Sequence, residues 1–175
     1  MRPFLVSLFC LLLSAPLAAQ QQKREPLTEK QQDQIEEAGI DPVARVDLYV
    51  KFLNDYCDTI KGLIPRAKSA ARARRIDDEL QDFSALMDEL GDNLDVFSQR
   101  KADLRKSLKG LNESIQRWQA VLRDLTSEPG FELSLKEAID STNDLTDQAR
   151  EITADQEAYF KAYPDEKGQD RAEPK

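Results

Sequence analysis

An apolar row between Ile76 and Leu125 is the sequence feature that most constrains the fold. Its members recur at steps that alternate between four and three residues, and fourteen of the fifteen positions are apolar, with Lys101 as the exception. This step averages 3.5 residues, the period that holds one face of a helix against a partner helix. The row consists of Ile76, Leu80, Phe83, Met87, Leu90, Leu94, Phe97, Lys101, Leu104, Leu108, Leu111, Ile115, Trp118, Leu122 and Leu125.

Two glycines, Gly91 and Gly110, interrupt this row, and each costs about 1 kcal/mol relative to alanine inside a helix. Because the phase of the row continues across both, we expect one continuous helix, about 90 Å long. The predicted fold is all-α: an elongated antiparallel helical bundle or coiled coil with one long central helix. The alternative is a compact four-helix bundle with a turn at Gly91.

Shorter helices are predicted before the row. Thr28 and Gln31 have the spacing of a capping box, which indicates a short helix that begins at Thr28. Asp41 precedes Pro42, a pair typical of a helix start, and Pro65 ends the helix that follows.

A further helix is predicted after the row, beyond the break at 128–130. Ser134 and Glu137 have the spacing of a second capping box, and this helix extends to about Ala162.

The amino terminus has the pattern of a secretory signal peptide. Arg2 provides a positive charge, an apolar run follows, and small residues end at Ala19, where cleavage is expected. We predict a signal peptide at 1–19, a flexible leader and short helix at 20–40, one helical-bundle domain at 41–163 and a disordered charged tail at 164–175. The secreted chain is expected outside the cytoplasm, in a periplasm or the medium, with no transmembrane segment.

Composition excludes several classes of function. The chain has no histidine, and removal of the signal peptide leaves Cys57 as its one cysteine. Removing Arg2 as well leaves 24 basic against 33 acidic residues, a net charge of −9 that disfavours nucleic acid as a partner. No catalytic, cofactor-binding or metal-binding set is recognisable, so we expect no enzyme and no cofactor.

Two sets of residues are candidates for a role in assembly. The helix after Pro42 has an apolar face wider than one neighbour requires, and Val46, Tyr49, Tyr56 and Leu63 on this face are the predicted interface. Lys101, the polar member of the row, is predicted to set the register of the packed helices.

Acidic residues are concentrated between Asp77 and Asp95, where eight acids occur without a basic residue. A straight helix spreads such carboxylates along its axis, whereas tight Ca²⁺ sites wrap oxygens around one point. We therefore interpret this block as a solvated helix face.

The stretch Leu27-Thr28-Glu29-Lys30-Gln31 resembles the LTxxQ motif of the Spy/CpxP-type periplasmic proteins. Those are small, secreted, all-helical proteins, and some act as ATP-independent chaperones. A second copy of the motif is absent here, since the stretch 145–148 has its glutamine one residue early.

Two hypotheses for function follow. The first is a non-enzymatic extracytoplasmic structural or protein-interaction protein that binds a protein partner or itself. The alternative is a periplasmic, ATP-independent chaperone of the Spy/CpxP-like kind, which would need an exposed apolar surface.

Overall fold

The structure, a computed structural model, describes residues 25–166. The helices of this part are α1 (Glu29–Glu37), α2 (Pro42–Leu63), α3 (Ala70–Gln99), α4 (Arg105–Asp124) and α5 (Glu132–Ala162), and the same residues contain no strand. The prediction of an all-α helical bundle is confirmed. Within this range no helix is both long and apolar enough to cross a membrane. The predicted signal peptide and residues 167–175 of the predicted tail lie outside the described residues.

Helices α2 to α5 form a four-helix bundle. Each of α2 and α5 packs beside both α3 and α4, so α3 and α4 occupy opposite corners. Hydrogen bonds from Ser134 to Asp77 and from Gln148 to Gly91 show that α3 and α5 run parallel. Consecutive bundle helices therefore alternate in direction.

The apolar row fills the centre of this bundle. All fourteen of its apolar members are buried, which confirms their role as core. Phe83 of α3 and Trp118 of α4 meet edge to face with ring centroids 5.7 Å apart, so the two diagonal helices touch through large side chains at the bundle axis. The Trp118 indole N–H donates to Asn54 of α2 over 2.9 Å, which satisfies its one polar atom.

The row is not one continuous helix, because α3 ends at Gln99 and α4 begins at Arg105. The N–H of Lys101 donates to Ser98 O and that of Ala102 donates to Phe97 O, both over 3.0 Å. These two bonds form a Schellman motif, a common way for a helix to end. The prediction of a long central helix is therefore wrong, and α3 and α4 are two separate helices of the bundle.

Lys101 occupies the left-handed position of this motif, with φ of 58°. Glycine is the usual residue there because it has no Cβ to clash, so a lysine gave no turn signal. Its side chain is exposed and its ammonium lies 5.4 Å from the centroid of the Tyr159 ring. The Lys101 side chain therefore lies outside the buried row, whereas Ala102 and Leu104 of the same turn are buried.

Gly91 lies within α3, so the alternative prediction of a turn there is also wrong. A Cβ atom built on Gly91 would stand 3.1 Å from the side-chain oxygen of Gln148 on α5. The same Gln148 amide donates to Gly91 O over 3.0 Å. Glycine at this position permits close approach of a neighbouring helix.

A buried arginine joins three segments at the end of the bundle where α2 stops. Arg72 of α3 donates from Nε to Leu63 O over 2.9 Å and from Nη2 to Ile64 O over 3.2 Å. Its Nη1 pairs with Glu128 in the α4–α5 loop at 3.1 Å. The guanidinium therefore binds two carbonyls at one helix end and fixes a distant loop to it.

The predicted helix starts have mixed outcomes. The Thr28–Gln31 capping box is present, and Asp41 caps α2. At α5 the second capping box is wrong, because the helix already begins at Glu132 and the Ser134 hydroxyl donates to Asp77 of α3.

Candidate functional site

The predicted interface on α2 is used inside the chain. Val46, Tyr49 and Leu63 are buried in the core. Tyr56 is half-buried, and its hydroxyl donates to Pro26 O in the segment before α1. The wide apolar face of α2 has several neighbours because it meets α3, α4 and α1. Val46, Tyr49 and Leu63 therefore offer no exposed apolar surface to a partner, and Tyr56 is partly covered within the chain.

A concave surface with a volume of about 480 Å³ lies between the parallel helices α3 and α5. We call it the acidic groove. Asp88, Asp92 and Asp95 form one wall on α3, and Asp144 stands on α5. The three α3 residues follow steps of four and three, so they lie along one face of the helix over about 10 Å.

The floor of the acidic groove is set by the close contact at Gly91. The Gln148 amide donates to Gly91 O and also to an Asp95 carboxylate oxygen over 2.7 Å. Met87 and Leu145 provide the apolar part of the lining. The absence of a side chain at Gly91 therefore opens the groove. The close contact that it permits with Gln148 holds α5 in register with α3.

The described residues that line this groove include no basic side chain. Partial desolvation raises the pKa of the Asp88 carboxyl, and the neighbouring carboxylates of Glu137, Asp92 and Asp144 raise it further. Asp92 lies one turn along α3, whereas Glu137 and Asp144 belong to α5. Packing α3 against α5 therefore costs electrostatic energy that a bound cationic group would relieve.

The acidic groove is suited to an extended cationic partner. Among residues 25–166, no group of three or more acids or cysteines is arranged to hold a metal ion. The carboxylates are instead spread along the helix axes. Such an array matches several positive charges in line, as on a basic peptide segment.

Other buried ionisable groups have structural partners or low reactivity. Glu79 is buried beside Arg75 at 2.5 Å, and burial raises the pKa of its carboxyl. Burial also raises the pKa of the Cys57 thiol to about 11. A thiol held protonated in an apolar environment is a poor nucleophile.

The sequence alone predicted only one wall of the acidic groove. The α3 acids were interpreted as a solvated helix face, and Asp88, Asp92 and Asp95 are indeed exposed. The contribution of α5 could not be predicted, because the spacing of residues does not show which helices become parallel neighbours. The one signal in the sequence was the acidic content of 137–151, the part of α5 that contains Asp144.

Comparisons of the chain with protein-family models, curated proteins and solved structures gave no significant match. In the structure, Thr28 and Gln31 of the LTxxQ-like stretch form the capping box of α1.

Proposed function

We propose that this chain is a non-enzymatic, extracytoplasmic helical protein that acts by binding another protein. The acidic groove is the observation that carries this proposal, because it is concave, lined by four carboxylates and brings carboxylates of α5 close enough to Asp88 to raise the pKa of its carboxyl. A basic segment in the groove would relieve the repulsion between α3 and α5, and the field of the carboxylates would steer its approach.

The polar groups inside the bundle have structural roles, which favours a function at the surface of the protein. Two of its buried polar side chains, Arg72 and Gln156, hydrogen-bond to backbone at helix ends and in turns. These groups stabilise the fold and leave binding to the outside of the molecule.

The chaperone hypothesis receives less support from the surface. The exposed large apolar side chains of the described residues are spread over separate segments and form no concave apolar face that groups them: Ile40, Val96, Leu133, Ile139 and Tyr163. A holdase needs a contiguous apolar patch for unfolded clients.

A peptide-binding experiment tests the proposal. Calorimetric titration with a ten-residue peptide of alternating lysine and alanine should show binding that weakens as salt rises. The variant Asp88→Asn/Asp92→Asn/Asp95→Asn removes three charges from the groove and should weaken binding at least tenfold.

The matched control removes three charges elsewhere. Asp147→Asn/Glu151→Gln/Asp155→Asn changes three exposed acids of α5 outside the acidic groove, and it should leave the dissociation constant within about twofold. Equal weakening by both variants would mean that only net charge matters, and the groove would no longer carry the function.

Export is tested separately. The amino terminus of the protein recovered from outside the cytoplasm should be Gln20. An intact Met1 on a cytoplasmic product would contradict the proposed localisation.

A further inference from the structure

Another concave surface lies between α2 and α4, on the opposite side of the bundle from the acidic groove, and its volume is about 290 Å³. We call it the Gly110 groove. This volume is at the lower limit of small-molecule sites, which span about 300–1,000 Å³. On α4 the groove is lined by Ser107, Gly110 and Leu111. These residues share one helix face because Gly110 and Leu111 follow Ser107 by three and four residues.

Gly110 is not explained by packing within the chain. A Cβ atom built there would meet no side chain of residues 25–166 within 4 Å, its two neighbours in sequence aside, whereas one at Gly91 would stand 3.1 Å from Gln148. Glycine is unfavourable inside a helix, and Gly110 lies within α4. A helix side chain covers the surface over the turn that precedes it. Its absence at position 110 therefore leaves the surface beside Ser107 open to a ligand.

The Ser107 hydroxyl is buried without a partner. The residue is 3% exposed, and its Oγ forms no hydrogen bond within the described chain. Two other buried helix hydroxyls, those of Ser84 and Thr142, donate to the carbonyl four residues earlier. For Ser107 that carbonyl belongs to Asp103, which precedes α4, so the helix offers no such acceptor. An unpaired buried hydroxyl is unfavourable, and a serine with no bond to break can turn towards a group placed beside it.

The α2 wall of the Gly110 groove carries charges of both signs. Asp47, Lys51 and Asp55 are exposed and follow one another at steps of four, so the ammonium stands between two carboxylates along one helix face. A cation that enters the groove therefore meets Lys51. An anion meets a carboxylate on either side of that ammonium. This arrangement disfavours ligands of either charge.

We propose that the Gly110 groove binds a small neutral sugar. A sugar hydroxyl both donates and accepts hydrogen bonds. One ring can therefore donate to a carboxylate of α2, accept from Lys51 and give Ser107 the partner that it lacks. An apolar ligand would desolvate the same charged groups without pairing them. The neutral, hydroxyl-rich ligand is thus the class that uses every polar group of this lining.

The sugar site is separate from the proposed peptide site. The acidic groove lies between α3 and α5 and would take a cationic segment, and it shares no lining residue with the Gly110 groove. The variant Asp88→Asn/Asp92→Asn/Asp95→Asn should therefore weaken peptide binding and leave sugar binding unchanged. Failure of one proposal does not decide the other.

Titration of the isotope-labelled protein with neutral sugars, followed by amide NMR, tests the proposal. The probes are D-glucose, D-galactose and maltose, each added separately to millimolar concentration. At least one of them should shift the amide signals of Ser107, Gly110 and Leu111 in a saturable way. D-Glucosamine and D-glucuronate, the cationic and anionic analogues of glucose, should bind at least fivefold more weakly than the neutral sugar.

A variant that fills the groove provides the second measurement. Gly110→Gln adds a side chain over the turn of Ser107 without a clash, because the space around the glycine is open. It should weaken sugar binding at least tenfold and preserve the fold. Gly62→Gln is the matched control, since Gly62 is an exposed glycine of α2 with equally open space and lies outside the groove. Its dissociation constant should stay within about twofold of that of the unsubstituted protein.

The variant Ser107→Ala separates ligand binding from a structural role. Because the hydroxyl has no partner in the chain, its removal should not lower the thermal midpoint of the free protein, but it should weaken sugar binding at least threefold. Ser84→Ala on α3 removes a hydroxyl that donates to Leu80 O, and it should leave the sugar affinity unchanged.

The outcomes decide the proposal. Saturable shifts at the α4 face that Gly110→Gln abolishes and Gly62→Gln preserves support it. No shift at these amides with any of the three neutral sugars would overturn it, as would equal weakening by both glutamine variants. Tighter binding of glucosamine or glucuronate would exclude a neutral ligand. If Gly110→Gln fails to fold, the titrations of the unsubstituted protein and of Ser107→Ala decide the question.

Discussion

The side-chain oxygen of Gln156 accepts a hydrogen bond from the backbone N–H of Leu104 over 2.8 Å, across 52 residues of sequence. The Gln156 amide also donates to Ala102 O over 2.5 Å. One buried carboxamide on α5 thus replaces the backbone partners that the α3–α4 turn lacks. Because of this contact the turn can lie in the core, with Ala102 and Leu104 both fully buried.

Replacing Gln156 by leucine should destabilise the protein by about 2–4 kcal/mol, because two buried backbone groups lose their partners. Urea unfolding followed by circular dichroism measures the change. Gln116→Leu, at an exposed position of α4, should change the free energy of unfolding by less than about 0.5 kcal/mol. Similar losses for both variants would show that the Gln156 contact does not stabilise the turn.

This contact also explains how far the fold could be predicted. The sequence predicted the core because a 3.5-residue apolar period requires a buried face, and all apolar members of the row are buried. It did not predict the break, because Ala102 and Leu104 of the turn 100–104 are themselves packed in the core. Leu104 serves as helix N-cap and as core residue at once. The phase of the apolar row therefore continues across the turn. This continuity was the reason for expecting one helix, so the expectation failed.

The site was less predictable than the fold. Apolar residues on α2 indicated an interface, yet Val46 and Tyr49 are buried by neighbours within the chain. The acidic groove depends on α3 and α5 being parallel neighbours. The sequence is equally compatible with arrangements in which Asp144 lies far from Asp88. Residue spacing predicts which side chains share a helix face, but it does not predict which faces meet.

Replacing Lys101 by glycine should stabilise the folded protein. A lysine in the left-handed region costs about 1 kcal/mol or more, which glycine avoids. We expect Lys101→Gly to raise the free energy of unfolding by about 0.5–1 kcal/mol, part of the gain being offset by the greater flexibility of the unfolded chain. Thermal and urea unfolding provide the measurement.

The matched control is Lys109→Gly, at an exposed position within α4. There the same substitution should destabilise by about 1 kcal/mol, because glycine is unfavourable inside a helix. Destabilisation by both substitutions would contradict a helix end at Lys101.

Cys57 should be protected from thiol reagents in the folded chain. Burial raises its pKa to about 11 from an ordinary value of 9.0, which lowers the thiolate fraction near neutral pH about a hundredfold. Reaction with a chromogenic disulfide reagent should therefore be at least a hundred times slower for the folded than for the guanidinium-unfolded chain. Rapid labelling of the folded chain would show that the thiol is accessible.

The same shift has a consequence for stability. Because the folded pKa of Cys57 lies above the unfolded value, its contribution is fully present below pH 9 and is lost as pH rises towards about 11. Cys57→Ala should remove this part of the alkaline destabilisation. Its own cost, from a small core cavity, should be independent of pH.

Asp88 should destabilise the folded protein at neutral pH. Partial desolvation, followed by Glu137, Asp92 and Asp144, raises the pKa of its carboxyl when the chain folds. A folded pKa above the unfolded one means that the favourable contribution exists below the unfolded pKa and disappears as pH rises through the folded value. The variant Asp88→Asn should therefore be more stable at pH 7 by a few tenths of a kcal/mol, the scale of like-charge pairs on helices.

This gain should vanish at pH 3, where the carboxyl is protonated in both states, and should shrink in 1 M salt because the repulsion is screened. Asp147→Asn is the matched control: Asp147 is exposed on α5 and pairs with Arg150 at 2.7 Å, so its loss should bring no gain at pH 7. Urea unfolding of both variants at the two pH values provides the measurement. A gain for Asp88→Asn that persists at pH 3 would show that the effect comes from packing. The binding proposal would then lose its electrostatic basis.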